Sequence, residues 1–352
     1  MKKKLFLSLL VAIFALSGCV INIKTSGGTD GGVYTTQDYG DNWQQITMVY
    51  RVEDLQKTFS TVDLTTMIMD PTDKKALYIG TKADGMFYTY DGGVGWHQTL
   101  TNLGEINAIA ISPKERCIIY TAIQNKIYKS TDCNRHWNYQ LVDTREDPKN
   151  NITSLAIDNF DTSNVYAGTS GNGLFLSQDA GFSWRALKFF DYPIVKVLIN
   201  PKNSKIIYVA TQEKGIFKTV DGGNNWSQLL DSQLTDAKQY VLDFRDLIID
   251  PTVDDGILYA SQYGLLRSSD GGKTWNDIPL LTPAGRATIY SIAIDPQDGQ
   301  KIYYGIKDAL YRTQDGGKNW ITRNLPSSRA AGFLIVDPVN TATIYLGVKK
   351  VN

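Results

Sequence analysis

The sequence of 352 residues contains only two histidines, His97 and His136. So few imidazoles argue against a histidine-dependent catalytic triad and against a histidine-rich metal site. The 36 Lys and Arg residues are balanced by 36 Asp and Glu residues, and a formal net charge of zero argues against nucleic-acid binding. No long stretch rich in Ala, Leu, Glu and Lys is present, whereas 20 Tyr and 7 Trp favour β structure. We expect neither a cofactor nor a metal.

The N-terminal segment has the parts of a bacterial export signal. Three lysines at 2–4 precede an apolar run at 5–16 that is too short to span a bilayer. The run ends in Leu-Ser-Gly-Cys at 16–19, which resembles the lipobox of bacterial lipoproteins. This resemblance implies a signal peptide at 1–18, lipidation of Cys19, a tether at 19–31 and a place in the cell envelope. The alternative is an ordinary secretory signal with a chance cysteine.

One motif, Ser/Thr-x-Asp-x-Gly-x-x-Trp, recurs along the whole chain. Six copies match it, and a seventh has Asn134 at the glycine position. The mean separation of the seven aspartates is about 46 residues, which is typical of propeller blades. The paired aspartates and tryptophans are Asp38 and Trp43, Asp91 and Trp96, Asp132 and Trp137, Asp179 and Trp184, Asp221 and Trp226, Asp270 and Trp275, and Asp315 and Trp320.

Each motif lies in a longer unit that predicts four short antiparallel strands, and the motif turns the third strand into the fourth. The chain begins with a third and a fourth strand at 33–47, and it ends with a first and a second strand at 333–348. These halves complete one another, so pairing of the two ends would close the ring and remove exposed sheet edges. The sequence therefore predicts an all-β fold at 32–352: a single seven-bladed propeller of four-stranded antiparallel blades.

In motif and repeat, the chain resembles the Asp-box, or BNR-repeat, β-propellers. That group includes sialidases, xyloglucanases, sortilin-type receptors and photosystem II assembly factors. The resemblance covers nearly the whole mature chain, and it is specific for the fold but not for the function. An assembly or partner-binding role is what the assembly factors imply, since they match this chain in size, single propeller and export.

We interpret the motif as a structural turn. A carboxylate at this place can accept hydrogen bonds from nearby backbone N–H groups. The last glycine is expected at positive φ, and Asn134 is among the residues that tolerate this conformation best. The tryptophan is expected to bury its ring between blades, where truncation would cost about 3 kcal/mol or more. A calcium or ligand loop is the alternative, but the motif lacks the alternating carboxylates of calcium loops.

The second and third cysteines, Cys117 and Cys133, flank one predicted hairpin. If the hairpin turns near Gln124, the two cysteines face each other across it. An exported compartment permits a disulfide there, and a loop of this length would stabilise the fold by about 3 kcal/mol. The alternative is two free thiols.

Long connections between blades concentrate on the face opposite the motifs. They are predicted at 44–62, 138–151, 227–244 and 276–288. We call this side, which also carries the turns between second and third strands, the loop face. We call the side that carries the motifs the box face. Arginine with aromatic residues is typical of binding hot spots. The predicted binding residues are Arg51, Arg145, Arg245, Arg286, Arg329, Tyr192, Tyr240 and Tyr263. Ion pairs on a solvated rim are the alternative reading of the arginines.

Catalysis by paired carboxylates stays open, because glycosidases need only two Asp or Glu side chains at a suitable separation. The candidates are Asp30, Asp84, Glu213 and Asp308. The segment "TDGGVY" around Asp30 is similar to the opening of the xyloglucanases, in which a catalytic aspartate lies. Those enzymes cleave between two propellers, however, and one is encoded here. The sialidases have six blades and an Arg-Ile-Pro signature that is absent here.

The sequence thus favours a lipid-anchored propeller that binds a protein or a glycan through the loop face. The alternative is a glycoside hydrolase or lectin that acts on polysaccharide.

The predicted disulfide can be tested by mass spectrometry of protein alkylated without prior reduction. We expect Cys117 and Cys133 to stay unlabelled and to appear in one cross-linked peptide. Reduction before alkylation is the control and should expose both thiols. Free labelling of both cysteines in the unreduced protein would disprove the bridge.

Overall fold

The structure, a computed structural model, describes residues 29–50, 57–142, 150–171, 173–230 and 232–351. Within these residues the fold is almost entirely β, with seven four-stranded antiparallel sheets, one two-stranded sheet and one short helix. The sheets are the blades of a propeller, as the repeat predicts.

The bounds of the blades follow the motif along the chain. Blade 1 comprises Leu64–Met69, Leu77–Thr81, Met86–Thr89 and His97–Thr99. Blade 2 comprises Ile106–Ile111, Ile119–Ile123, Lys126–Ser130 and Asn138–Leu141. Blade 3 comprises Ile152–Ile157, Val165–Thr169, Gly173–Ser177 and Arg185–Phe189.

The next three blades have the same order of strands. Blade 4 comprises Ile194–Asn200, Asn203–Thr211, Gly215–Thr219 and Ser227–Gln228. Blade 5 comprises Phe244–Ile249, Ile257–Ser261, Leu265–Ser268 and Asn276–Ile278. Blade 6 comprises Ser291–Asp295, Asp298–Gly305, Ala309–Thr313 and Ile321–Asn324. Outside the blades lie the hairpin Met48–Val49 with Lys57–Thr58 and the helix Ser232–Ala237.

Blade 7 is built from both ends of the propeller. Its strands, from first to fourth, are Ala330–Val336, Ile344–Lys349, Val33–Thr36 and Gln44–Gln45. The second and third strands pair in antiparallel register from Val33 opposite Gly347 to Thr36 opposite Ile344. The predicted closure of the ring by the terminal strands is therefore confirmed.

Burial explains why each blade needs its neighbours. Most residues of the second strands are buried, as in Leu77–Thr81, whereas most residues of the fourth strands are exposed or partly exposed, as in Asn138–Leu141. The hydrophobic core consists of clusters shared by two adjacent blades; in one of them Tyr120 of blade 2 packs with Leu155 of blade 3. Each fully buried aliphatic or aromatic side chain there contributes about 1.5–3 kcal/mol, so the stability depends on the complete ring.

The Asp box is a closed hydrogen-bonded turn, and blade 6 shows its bonds. The Thr313 hydroxyl donates to Asp315 Oδ1 at 2.7 Å and accepts from the Gly317 N–H at 3.0 Å. Asp315 Oδ1 also accepts from the Asn319 N–H at 2.8 Å, and Oδ2 accepts from Asn319 Nδ2 at 2.7 Å. The last glycine has φ 96°, and Asn134 in the degenerate box has φ 70°, as expected.

The residue before that glycine also lies at positive φ in every box, which the sequence did not indicate. Three of the seven are not glycine: Tyr39 has φ 61°, Cys133 has φ 59° and Ala180 has φ 58°. This conformation costs roughly 1–2 kcal/mol for a residue with a Cβ. The bonds around the box must therefore be strong enough to hold it.

Those bonds run in two directions from the residue that follows the box aspartate. In six blades its N–H donates to the first-to-second-strand hairpin of the same blade, as from Gly316 to the Gln300 carbonyl at 2.9 Å. In three blades its carbonyl accepts from a cation of the preceding blade. The donors and acceptors are Lys129 Nζ to Ala180 O at 2.7 Å, Lys218 Nζ to Gly271 O at 3.0 Å, and Arg312 Nη1 to Tyr39 O at 2.6 Å.

The box tryptophans pack against the core of the preceding blade. Trp320 of blade 6, for example, packs with Ile278 of blade 5 and donates its indole N–H to the Pro279 carbonyl at 2.7 Å. Only one of the seven rings, that of Trp96, is fully buried; the others are partly exposed. The tryptophan rings therefore lie between blades as expected, but six of the seven are only partly buried.

In blade 1, a side chain from outside the box bonds to the box aspartate. Gly95 stands where the other boxes have Asn, Ser, Thr or His, and so it offers no side chain to Asp91. The ring of Tyr50 occupies that space, since a Cβ on Gly95 would lie 2.3 Å from it. The Tyr50 hydroxyl donates to Asp91 Oδ2.

In blade 2, a disulfide joins Cys117 of the first hairpin to Cys133 of the degenerate box.

Removal of the carboxylate from one box should lower the stability of the protein, and the loss of stability should be smaller at acidic pH. Hydrogen bonds from the Asn225 backbone, the Asn225 side chain and Thr219 lower the pKa of Asp221 from 3.8 to about 2. The ionised form therefore stabilises the fold fully above pH 3.8, and this contribution is lost as the pH falls towards 2. We expect Asp221→Asn to lower the urea midpoint at pH 7 and the two proteins to converge below pH 3.

Asp308→Asn is the matched control, because Asp308 is an exposed carboxylate outside any box. Urea unfolding of the three proteins at pH 7, 4 and 2.5 measures the effect. An equal loss for Asp221→Asn at all three pH values would show that the charge of the box carboxylate does not contribute.

Candidate functional site

A central channel is lined by the beginnings of the first strands of all seven blades. Each first strand follows a connection on the loop face and ends in a hairpin on the box face, so these beginnings lie in the loop-face half of the channel. The cavity has a volume of about 430 Å³ and includes Thr65 of blade 1, Lys196 of blade 4 and Ser291 of blade 6.

Six of the seven first strands carry a β-bulge at this depth. In blade 5, for example, Phe244 pairs with Ser261 and Asp246 with Ala260, which leaves Arg245 as the extra residue. Bulges turn a side chain out of the regular alternation and are common next to functional sites. All six extra residues line the channel: Thr65, Asn107, Thr153, Val195, Arg245 and Gly332.

Hydrogen bonds between neighbouring first strands hold this lining in place. The Thr153 hydroxyl donates to the Ile194 carbonyl at 2.6 Å, across blades 3 and 4. The Ser291 hydroxyl donates to the Ala331 carbonyl at 2.6 Å, across blades 6 and 7. The cavity is therefore preformed, as small binding sites usually are.

The charged groups of the lining are three cations and one carboxylate. Lys196 Nζ lies 2.6 Å from Asp246 Oδ1, which also accepts the Leu247 N–H at 2.8 Å. The Arg245 guanidinium donates through Nε and Nη2 to Gln262 Oε1, at 3.2 and 2.7 Å. Because glutamine is neutral, this contact leaves the charge of Arg245 uncompensated.

The third cation, Lys349, enters the channel over a glycine. A Cβ on Gly332 would lie 2.8 Å from Lys349 Cγ, so this glycine makes room for the lysine. The Lys349 ammonium lies 5.6 Å from the ring centres of both Tyr290 and Phe333, which is within the range of cation–π contacts. Burial lowers the pKa of Lys349, although the charges of Asp246 and Asp63 oppose this shift.

The predicted binding residues lie in different surroundings. Arg245 lines the channel and is exposed, as is Arg286 in the connection that follows blade 5. Tyr263 contacts Lys238, whose ammonium lies 4.7 Å from the ring centre, and Lys214 lies 5.6 Å from that of Tyr192. These residues are on the loop face but do not form one cluster. Cys19, Arg51 and Arg145 lie outside the described residues.

Arg329 differs from the expectation, because it is buried and its donors are used inside the protein. Only 5% of the residue is exposed. Its guanidinium donates to the carbonyls of Val62 at 2.7 Å and Thr61 at 3.0 Å, and Nε lies 3.7 Å from Asp30 Oδ1. These contacts join the connection before blade 7 to the segment before blade 1. Arg329 is therefore a tie across the closing seam and is not available to a ligand.

The carboxylates considered for catalysis lie outside the lining of the channel. Asp30 is held by Ser328, whose N–H and hydroxyl each donate to Oδ2 at 2.7 Å. Partial burial raises the pKa of Asp30, but these bonds and the Arg329 charge outweigh it and leave the pKa below its ordinary value. Asp84, Glu213 and Asp308 are exposed in turns of blades 1, 4 and 6, and none of them lines the channel. Of the four candidates, only Asp30 has its carboxylate held by side chains and backbone of the closing seam.

A second cleft on the loop face lies between blades 4 and 5, beside the short helix. It has a volume of about 450 Å³ and is lined by Glu213, Lys238, Tyr240 and Asp243 among others. Tyr240 is 49% exposed and has φ 66°, a strained conformation for an aromatic residue. Lys238 is already paired with Asp277, at 2.6 Å.

In the described part of the chain, no three His, Cys, Asp or Glu side chains are placed to share a metal ion. No helix there is long and apolar enough to cross a membrane.

Sequence reasoning found Arg245 but missed Lys196, Asp246, Tyr290 and Lys349. These four come from blades 4, 5, 6 and 7, and no short motif connects them. Alignment of the repeats could have indicated three of them, because Lys196, Asp246 and Tyr290 lie at or next to the start of a first strand. Lys349, at the end of a second strand, had no such signal.

Comparison with known proteins agrees with this architecture. Residues 193–333 match the family model of the photosynthesis system II assembly factor YCF48, which is less than half of the chain. No curated protein matches the sequence. A structure of YCF48 bound to D1 peptide has a TM-score of 0.61 and 13% identity, and the match covers 83% of this chain and 94% of that one.

Two glycoside hydrolases are also similar in structure. The GH74 enzyme of Niastella koreensis has a TM-score of 0.68 and 17% identity over 82% of this chain and 51% of its own. The GH74 xyloglucanase of Xanthomonas campestris has a TM-score of 0.67 and 17% identity over 88% of this chain and 52% of its own. The chain thus spans about half the length of these enzymes, and such identities show the fold alone. With its seven boxed blades, the chain is an Asp-box β-propeller that resembles the YCF48 and GH74 propellers.

The contacts of Arg329 predict its effect on stability. We expect Arg329→Met to lower the free energy of unfolding by about 2–4 kcal/mol, because it leaves the buried Val62 carbonyl without its donor and removes the bond to the Thr61 carbonyl and the charge beside Asp30. Arg286→Met is the matched control at an exposed position of the same face and should change it by less than about 0.5 kcal/mol. Urea unfolding at pH 7 measures both. Equal effects would contradict the assignment of Arg329 as a tie.

Proposed function

We propose that the protein is a binding propeller that holds a segment of a partner protein at the loop-face mouth of the central channel. The preformed cavity with an excess of positive charge carries this proposal. Its lining is fixed by bonds between blades, and Arg245 projects into it from a bulge. A rigid scaffold that presents charged groups among long connections is a common arrangement for binding.

The comparison with YCF48 supports a protein ligand rather than a glycan. That protein is seen with a D1 peptide, and its family model matches the part of this chain that contains Lys196, Arg245 and Asp246. At 13% identity the peptide itself cannot be transferred to this chain. What we carry over from YCF48 to this chain is the general mode of binding, in which a single propeller holds a segment of another protein.

We also propose that lipidated Cys19 anchors the protein and that the loop face is turned towards the membrane. Val33–Thr36 is a third strand, which runs from the loop face to the box face. Asp30, just before it, is bonded to Ser328 in a connection of the loop face. A tether before Asp30 would therefore leave from that face. About ten tether residues reach at most roughly 35 Å, so the channel mouth would stay near the membrane surface.

This orientation restricts the partner to a membrane protein or to a protein held at the same membrane. A glycan-active enzyme is the second candidate, and the fold of the GH74 enzymes favours it. A glycan-active enzyme requires two cooperating carboxylates, however. Asp30 is already hydrogen-bonded to Ser328, and Asp84, Glu213 and Asp308 lie on separate blades.

Site-specific photocrosslinking in the native membrane tests the proposed face. A p-benzoylphenylalanine replaces Tyr240 on the loop face or Phe182 on the box face; both side chains are exposed, by 49% and 76%. We expect a protein cross-link from position 240 and none from position 182. Cross-links from position 182 alone would place the partner on the box face and contradict the proposal.

Two further measurements separate the alternatives. Cys19→Ala should release the protein from the membrane fraction, and retention of this variant would contradict the lipid anchor. Turnover on a panel of polysaccharides, lost in Glu213→Gln or Asp84→Asn, would instead favour the hydrolase.

A further inference from the structure

We propose that Lys349 anchors a carboxylate-binding subsite in the channel, which takes a chain-terminal or side-chain carboxylate of the bound protein segment. This inference rests on the proposed function and adds the chemistry of the ligand.

The first observation is a partly buried ammonium group whose donors are unused. Lys349 has three N–H donors, and among the described residues no oxygen is bonded to its Nζ. Its neighbours are the ring faces of Tyr290 and Phe333 at 5.6 Å. Removing an ammonium from water without hydrogen-bond acceptors is costly, so a ligand that supplies an acceptor gains the interaction that the protein leaves open.

The second observation is that Asp246, the only carboxylate among the described residues of the lining, is already occupied. Asp246 Oδ1 pairs with Lys196 at 2.6 Å and accepts the Leu247 N–H at 2.8 Å, while Oδ2 accepts the Ile292 N–H at 3.4 Å. It attracts Lys349 from a distance but does not bond to it. The channel thus keeps two positive charges, those of Arg245 and Lys349, without a bonded anion.

The third observation concerns which anion fits. The Arg245 guanidinium donates through Nε and Nη2 to Gln262 Oε1, so one edge of its fork is occupied, whereas all three donors of Lys349 are open to a ligand. A single lysine beside two aromatic rings suits a compact monoanion attached to an apolar chain. A carboxylate of a peptide has this form, since its neighbouring methylene groups can contact the rings of Tyr290 and Phe333.

The room for the ammonium is built into the strand. Gly332 is the bulged residue of blade 7, and any Cβ there would meet Lys349 Cγ and Cδ at 2.8 and 2.9 Å. The site is therefore sensitive to a change that removes no charge: Gly332→Ala displaces the lysine stem. Lys350, the next residue, is exposed and provides a matched control with the same charge.

Defined peptides test the subsite on the full-length protein in detergent. The probes are fluorescein-labelled tetra-alanine with a free C-terminal carboxylate, the same peptide as its C-terminal amide, and an amidated Ala-Ala-Asp-Ala. Fluorescence anisotropy gives the dissociation constants. We expect the free acid or the aspartate peptide to bind at least tenfold more tightly than the amidated tetra-alanine, and the tighter of the two identifies the source of the carboxylate.

We expect Lys349→Gln to abolish this difference, Lys349→Arg to retain part of it, and Lys350→Gln to leave it unchanged. Gly332→Ala should weaken the acid without affecting the amide. Equal binding of acid and amide by the wild type, or an unchanged preference in Lys349→Gln with native unfolding behaviour, would overturn the subsite.

The two proposals can fail separately. A cross-link from position 240 that persists in Lys349→Gln, together with no preference for acid peptides, overturns the subsite and leaves the loop-face function standing. A preference for acid peptides that depends on Lys349, with cross-links from the box face alone, supports the subsite and overturns the proposed loop-face function.

Discussion

The ring depends on hydrogen bonds of the residue that follows the box aspartate, which are made by its N–H in six blades and by its carbonyl with a cation in three. Its N–H is bonded to the first hairpin of the same blade, and its carbonyl accepts from the preceding blade where a cation is present, as between Arg312 and Tyr39. One residue thus fixes both the shape of a blade and its angle to the neighbour. The left-handed conformation of Tyr39, Cys133 and Ala180 is the cost of this arrangement.

This constraint separates the two faces in function. The box face is filled with internal bonds: the aspartates bond to the turn itself, and the tryptophans pack on the preceding blade. The loop face has no equivalent repeat, and its ties are single contacts, such as those of Arg329 with Thr61 and Val62 at the closing seam. The channel combines both properties, because Thr153 and Ser291 tie first strands together while Arg245 and Lys349 line the cavity.

The difference also explains how far the sequence could predict the structure. Seven copies of one motif and two half-blades at the ends predict the blade number and the closure, because these features are local and repeated. The burial of Arg329 depends on Thr61 and Val62, more than 260 residues away, and no local pattern encodes it. Lys196, Arg245 and Lys349 likewise converge only after three blades have taken their places around the axis.

The site and the closing seam share one strand. Lys349 ends Ile344–Lys349, which pairs with Val33–Thr36, and the Val348 N–H donates to the Gly32 carbonyl at 3.1 Å. The Lys350 N–H donates to Asp63 Oδ1 at 2.8 Å, on the segment that enters blade 1. The lysine is therefore positioned only once the N-terminal strand has joined blade 7. The strand Val33–Thr36 lies beside the strand that ends at Lys349, so the closing seam and the lining of the channel share this pair of strands.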